Sequence, residues 1–404
     1  MGRHLALAIS ILGLAALLAG AARPLKLDFY GHYGYSWLSP RKDSPWNPGP
    51  VHVLASCDSA LLLQIDGRLR LGKAVFCASP QWRAAHDGTW KTGLREATLN
   101  VNLGNFDLTA GKTLIRMGTG YMFTPISVIT PDKSLADPED NGHEQEGVWL
   151  LKADYYRESF SLGALVFKKN NWSNLALFGY VDAGRVDLYA ILFHPEYRKL
   201  EFGLAAAGTL GESVELHAEI MVRRRSPVLR HRAFSVPFGA ALFPQWPLFQ
   251  PPDRCYPEIL LGANVTFKGV NVIAEYYHAD WGITAEEYRR LQGHYAISLS
   301  ELPGPLAQMN LAADLELLQA GSRGMMRDYF FARLWKALKG VSLTAVGFVN
   351  LSDGSFLSLV EASWFLSDGI TLYIRPLYFS GSQGDEFGDS VYSAMLQAGF
   401  SVRL

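Results

Sequence analysis

The sequence predicts an all-β protein, a transmembrane antiparallel β-barrel of about 18 strands with 16 as the alternative count. Three observations carry the prediction. Apolar residues make up 49% of the 404-residue chain. Beyond the N-terminal segment, however, no stretch approaches the roughly 18 consecutive apolar residues that a spanning helix needs. Those residues instead alternate with polar ones, which describes strands greasy on one face and wet on the other. The same grammar then repeats along the chain: strand, tight turn, strand, longer loop. That asymmetry is the one expected of short periplasmic turns and long external loops.

The N-terminus reads as an export signal. Arg3 and His4 open it, Leu5 to Leu18 is apolar, and Ala19-Gly20-Ala21 supplies a small-residue cleavage pattern with Ala22 as the expected first residue. No cysteine follows, which argues against a lipid-anchored lipoprotein. The expected organisation is a signal peptide over 1–21, a periplasmic lead-in or first strand over 22–59, and an outer-membrane barrel over 60–404. Of the three cysteines, Cys57 and Cys77 flank one strand region and could pair in an exported protein, although spacing alone does not establish it.

The elements follow in order. Leu27, Phe29, Gly31, Tyr33, Tyr35 and Trp37 alternate, and 39–50 is loop. The run ALLLQIDGRLRL from Ala60 sets Gln64, Asp66, Arg68 and Arg70 against Leu63, Ile65, Leu69 and Leu71. A loop is expected through Trp82 and Trp90. Leu94 to Ala110 is a hairpin over Gly104-Asn105. A long polar loop over Thr119 to Glu146 follows it. Strands then recur from Gly147, with Val214, Leu216, Ala218 and Ile220 facing out and Glu215, His217 and Glu219 facing in. The longest loop runs from Arg224 to Pro257 and carries Arg224, Arg225, Arg230 and Arg232, a solvated edge in the first instance. Further strands are expected at Ile259–Phe267, Val270–Tyr277, His294–Leu299, Met309–Leu318, Tyr329–Lys336, Val341–Val349, Phe356–Phe365, Ile370–Phe379 and Tyr392–Leu404. Counted from Ala60 these give the even number. Adding Leu27 to Trp37 would make it odd, so either that stretch lies outside the wall or one strand is wrongly divided.

Two resemblances follow from particular residues. The alternating end YSAMLQAGFSVRL is similar to the terminal strand by which bacterial outer-membrane proteins are handed to their insertion machinery. The stretch from Gly111 to Gly147, through Lys112, Arg116, Gly118, Gly120, Pro125, Pro131, Asp137 and Pro138, resembles a segment of porin-like barrels in the alginate-export and related outer-membrane families. It covers about a tenth of the chain. The resemblance implies a barrel of about 18 strands and passage of polar or anionic solutes.

The candidate pore-lining residues are Arg68, Arg70, Glu96, Lys112, Arg116, Lys152, Glu215, Glu219, Arg223 and Arg375. A ladder of such cations would select anions as charged rings do; ordinary lumenal ion pairs with Glu96, Glu215, Glu219 and their like are the alternative. Lys112 and Arg116 share parity with outward-facing Leu108 and Ala110, so a bulge at Gly111 is expected to turn them inward. The loop over 119–146, with Pro125, Pro131, Asp137, Asp140 and Glu144, either folds in as a constriction or stays solvated outside. Aromatics at strand ends, among them Trp149, Tyr156, Tyr277 and Tyr373, are expected to form interfacial girdles.

No metal or cofactor is expected. The acid run from Asp137 would need a twelfth-position acid where Val148 stands. No G-x-S-x-G elbow supports a hydrolase, and a formal charge of −1 without long basic runs gives no support to nucleic-acid binding. The expected partners are outer-membrane lipid, lipopolysaccharide, the insertion machinery and small polar solutes. The expected activity is passive diffusion of those solutes, anions among them if the basic ladder operates. A non-conducting barrel that displays its loops is the alternative, with a membrane-embedded hydrolase behind it.

Overall fold

The computed structural model describes residues 26–46, 55–129, 133, 137, 145–169, 172–196, 199–235, 246–301, 309–310, 312–313 and 324–403. The expected signal peptide lies outside them. One sheet of 18 antiparallel strands closes on itself. In chain order they are β1 (Lys26–Pro40), β2 (Cys57–Leu71), β3 (Ala74–Ala85), β4 (Trp90–Asn102), β5 (Phe106–Thr113), β6 (Val148–Arg157), β7 (Phe160–Lys169), β8 (Trp172–Asp182), β9 (Val186–Pro195), β10 (Glu201–Leu210) and β11 (Val214–Arg223). A short pair, β12 (Arg230–His231) and β13 (Leu248–Phe249), sits outside the wall. The wall resumes with β14 (Tyr256–Phe267), β15 (Val270–Ala279), β16 (Asp328–Leu338), β17 (Val341–Asn350), β18 (Phe356–Ser367), β19 (Ile370–Ser380) and β20 (Tyr392–Arg403). A helix, α1 (Ala285–Glu301), follows β15. Closure is made by β1, which pairs with β2 on one side and β20 on the other. Each of the 18 wall strands is paired on both sides, as a barrel in lipid requires.

Alternation sets the two faces. On β11, Leu216 and Ile220 are 45% and 37% exposed, whereas His217 and Glu219 are buried at 5% and 2%. Leu151, Leu177, Val360 and Phe400 extend the outer apolar surface. The turns at one end are tight, such as Gly72-Lys73, Lys268-Gly269 and Lys339-Gly340. At the other end lie the segments after β1, β5, β11, β15 and β19. Here α1 puts Tyr288, Leu291 and Tyr295 into the same buried cluster as Phe331 and Phe348 of the inner wall.

The strand count agrees with the sequence for partly compensating reasons. The stretch expected as a loop through Trp82 is β3, and β1 belongs to the wall. Against these, His294–Leu299 is helical as part of α1, and Met309, Asn310, Ala312 and Ala313 are helical where a strand was expected. The helix has a physical cause. Thr284 and Glu287 form a reciprocal capping box, the Thr284 N–H donating to Glu287 at 2.8 Å and the Glu287 N–H to Thr284 Oγ1 at 3.2 Å.

Two further expectations are corrected, and the Cys57–Cys77 pairing that spacing left open is not made. Cys57 and Cys77 are free thiols. Cys77 lies opposite Arg68 near the tight-turn end, whereas Cys57 starts β2 at the other, so roughly 35 Å of strand separates them. No bulge occurs at Gly111, because its pairing with Thr98 and Leu150 runs in unbroken register. Gly111 instead takes φ +125°, where a Cβ would lie 2.0 Å from the Ala97 carbonyl oxygen, and Lys112 ends only 13% exposed. Finally, Tyr156, Tyr277 and Tyr373 face inward rather than forming a girdle: Tyr156 shares the inward parity of Leu150 and Asp154, Tyr277 stacks on Phe123 at 4.1 Å and Tyr373 on His32 at 5.5 Å.

Candidate functional site

The segment after β5 turns into the barrel. Glu96, inward on β4, starts it by accepting the Thr113 hydroxyl at 3.1 Å and the Leu114 N–H at 2.9 Å. Two buried carboxylates on the facing wall then take up its backbone donors. Glu219 accepts N–H groups from Thr119, from Gly120 at 2.9 Å and from Ile126 at 3.2 Å. Glu275 of β15 accepts those of Tyr121, Met122 (2.9 Å) and Phe123 (3.4 Å). Irregular backbone inside a membrane protein is tolerated only where its polar groups find such partners or water. Gly118 allows the approach: at φ +97° it carries no Cβ, which would lie 2.5 Å from a Glu219 oxygen.

Apolar contacts hold the same segment. Ile126, Val128 and Ile129 pack on Leu165, Phe167, Ile191 and Met221 of the inner wall. Met122 and Phe123 pack on Leu260, Tyr277 and Phe348. Pro125 is buried and its carbonyl accepts from Arg223 at 3.3 Å. Arg223 also bridges Glu201 at 2.7 Å and Glu258 at 2.5 Å, so one guanidinium ties three carbonyl or carboxylate groups.

The segment continues to the other side of the lumen. The Tyr121 ring lies 3.7 Å from Lys133 Nζ and 5.2 Å from the Arg333 guanidinium, and stacks on Phe331. Asp137 reaches Arg375 of β19 at 3.1 Å, and Arg375 is also bound by Glu361 at 2.6 Å. The segment returns where Arg95 Nε donates to the Gln145 carbonyl at 3.3 Å and Lys112 pairs with Glu146 at 2.6 Å.

The residues singled out from the sequence therefore divide. Arg68 and Arg70 share the inward parity of Gln64 and Asp66, are exposed, and make no ion pair among the described residues. Arg116, on the entering segment, is likewise exposed and unpaired. Lys152 is inward but paired with Asp154 at 2.9 Å. Glu215 is inward and accepts from Asn264 at 3.4 Å. Glu219, Arg223 and Arg375 point inward yet are buried in the contacts above, so they hold the segment and do not line open lumen. Pro131, Asp140 and Glu144 lie outside the described residues.

Glu275, Tyr121, Lys133 and Arg333 were not singled out. Glu275 carried a usable signal: a lone acid between inward Ile273 and Tyr277, where a charge must be paired or hydrogen-bonded. The others depend on which wall residues the segment meets, which local pattern does not encode.

No protein-family model matches the chain, and no curated protein matches it in sequence. Solved structures do match the fold. Acinetobacter baumannii OccAB1 superposes at TM-score 0.58 with 8% identity over 96% of this chain and 98% of its own. Pseudomonas aeruginosa OccK5 (OpdH) gives 0.57 and 9% over 96% and 99%. Pseudomonas aeruginosa OccK2 (OpdF), solved in complex with glucuronate, gives 0.56 and 9% over 94% and 98%. These neighbours are outer-membrane porins, and the chain has their barrel.

Proposed function

We propose that this barrel sits in a bacterial outer membrane and passes small polar solutes by diffusion, with the segment after β5 setting the width of the lumen. One observation carries the reading. A long loop is folded inside a closed barrel and latched there by Glu219 and Glu275, an arrangement that shapes a passage. The outer apolar surface suits a lipid environment bordered by lipopolysaccharide, and the terminal strand suits the insertion machinery. The glucuronate bound by one neighbour is a small polar anion of the kind envisaged.

Charge preference in this reading is modest and anionic. It rests on Arg68, Arg70 and Arg116, since Lys112, Lys152, Arg223 and Arg375 are neutralised by partners. The test is planar-bilayer recording of the refolded chain, with reversal potential in a salt gradient. Stable conductance with anion preference, reduced by Arg68→Glu or Arg116→Glu, supports the channel.

A capped barrel that displays its loops is the second reading. It is favoured by α1 and Phe387, which join the buried cluster at the long-loop end. Absence of conductance from a verified folded barrel would move the account to it.

A further inference from the structure

Three segments at the long-loop end bring four cations together on one stretch of rim. Lys199 precedes β10, Arg224 and Arg225 follow β11, and Arg254 precedes β14, and these three strands are neighbours in the wall. Asp253 holds Lys199 at 3.0 Å and Arg225 at 3.2 Å, while Asp280 holds Arg254 at 3.1 Å. Arg224 continues the outward parity of Ile220 and Val222 and lies beside Cys255, its Nη1 3.4 Å from the sulfur. It is exposed and makes no ion pair among the described residues. Two acids against four cations leave a local positive surplus. Further round the rim, the segments joining β17 to β18 and β19 to β20 hold Asp353, Asp385, Glu386 and Asp389 and no lysine or arginine.

The height of the cluster is set by register. On β15 and β16 the outward face ends in polar groups: the Tyr276 hydroxyl donates to Asp328 at 2.7 Å, and His278 Nδ1 lies 2.8 Å from the same oxygen. Below them, outward Val272 and Leu334 are exposed and apolar. Cys255, beside Arg224, stands four residues beyond Ile259, the β14 partner of His278. On a tilted strand that is roughly 10 Å nearer the outside. The cations therefore stand above the apolar band, and Phe202, Leu204 and Ile220 offer exposed apolar surface beneath them.

We propose that this rim binds the phosphorylated headgroup of lipopolysaccharide, one phosphate among the four cations and the acyl chains along β10 and β11. The inference rests on the outer-membrane reading above. A phosphomonoester carries about 1.5–2 negative charges at neutral pH, which match the surplus. Guanidinium forks hold it by paired hydrogen bonds. Lys199 and Arg254 are 63% and 52% exposed in their present pairs. Such exposed pairs hold their side chains weakly, so the cations can turn to a phosphate. The occupant comes from the lipid side, because Arg224 has the outward parity and a solute in transit meets the other face.

The test is native mass spectrometry of the full chain, refolded in detergent, with bisphosphorylated lipid A as the probe. Its dephosphorylated form supplies the acyl chains without the charge, and inorganic phosphate the charge without the chains. The expected result is a retained one-to-one complex with lipid A, about tenfold weaker or more for the dephosphorylated form. Arg224→Glu/Arg254→Glu should weaken lipid A binding by a similar factor. Arg224→Gln, which breaks no ion pair among the described residues, should give a smaller loss in the same direction. Gln383→Glu, exposed on the cation-free part of the rim, should leave binding unchanged. Equal binding of the two lipid forms, or lipid A binding that the arginine variants leave unchanged, would overturn the proposal. Inorganic phosphate that displaces lipid A at equal concentration would overturn the lipid as occupant. A barrel that conducts but retains no lipid A loses only the rim site, and one that retains it without conducting loses only the channel.

Discussion

Glu275 and Met122, 153 residues apart in the chain, meet inside the barrel: the Met122 N–H donates to the Glu275 carboxylate at 2.9 Å. With Glu219 accepting at Gly120 and Ile126, two wall carboxylates replace the sheet partners that this segment lacks. Hydrogen bonds to a charged acceptor contribute about 1.5–3 kcal/mol each. Glu219→Gln and Glu275→Gln should therefore loosen the segment while leaving the wall intact. Amide exchange at 119–126 should accelerate in both variants, with exchange in β11 and β15 unchanged. Uniform acceleration across the barrel would mean that the carboxylates hold the wall itself.

Arg223 should behave differently. Its removal leaves Glu201 and Glu258, 1% and 2% exposed, without the cation that joins them. Breaking a buried ion pair by deleting one partner costs about 3–5 kcal/mol. Arg223→Ala should lower the unfolding midpoint of the refolded barrel clearly more than Arg68→Ala, whose side chain is exposed and unpaired. Equal effects would contradict the network.

The segment between β19 and β20 should respond to pH. Burial raises the Glu386 carboxyl to about 7, although Met325 N–H, Tyr329 and Asn350 donate to it. Burial likewise raises Asp389, bound by Gln292 of α1, to about 6. Both values lie above those of exposed carboxyls, so the packed state binds more protons than the released one. Its extra stability is complete at low pH and is lost as pH rises through 6 to 7. Local exchange at 381–391, corrected for intrinsic rate, should rise with pH by up to about tenfold per unit below the Glu386 midpoint and level off above it. Glu386→Gln should flatten the rise near 7. A native profile already flat from pH 5 to 8 would refute the assignment.

Gly111 should tolerate no side chain. At φ +125° with a would-be Cβ 2.0 Å from the Ala97 carbonyl oxygen, Gly111→Val meets both strain and collision. The yield of folded, heat-modifiable barrel should fall sharply, while Gly347→Ala, at an ordinary φ with open space for the Cβ, should fold well. Normal yield from Gly111→Val would show that the strand can shift there.

Much of the wall could be read from local pattern, because lipid outside and water inside force a period of two. Val214 to Arg223 shows it plainly. β3 escaped because Ser79-Pro80 carries a register irregularity and its inward face is polar, so no clean alternation survives. α1 escaped although Thr284-x-x-Glu287 announced a helix start, since the later run through Tyr295 and Ile297 also alternates. The site was less legible. Inward direction was readable for Glu219, Arg223 and Arg375, but their burial depends on a loop crossing the lumen to strands far away in sequence. Only Arg68, Arg70 and Arg116 kept the exposed, unpaired state expected of a basic ladder.

The central claim is that the segment latched by Glu219 and Glu275 sets the passage. It is tested most directly by single-channel recording of the native chain beside the Glu219→Gln/Glu275→Gln double variant. The account predicts stable conductance in the native barrel and a larger, noisier conductance in the variant, as the freed segment leaves the wall. Native conductance that the double variant leaves unchanged, in size and in noise, would contradict it.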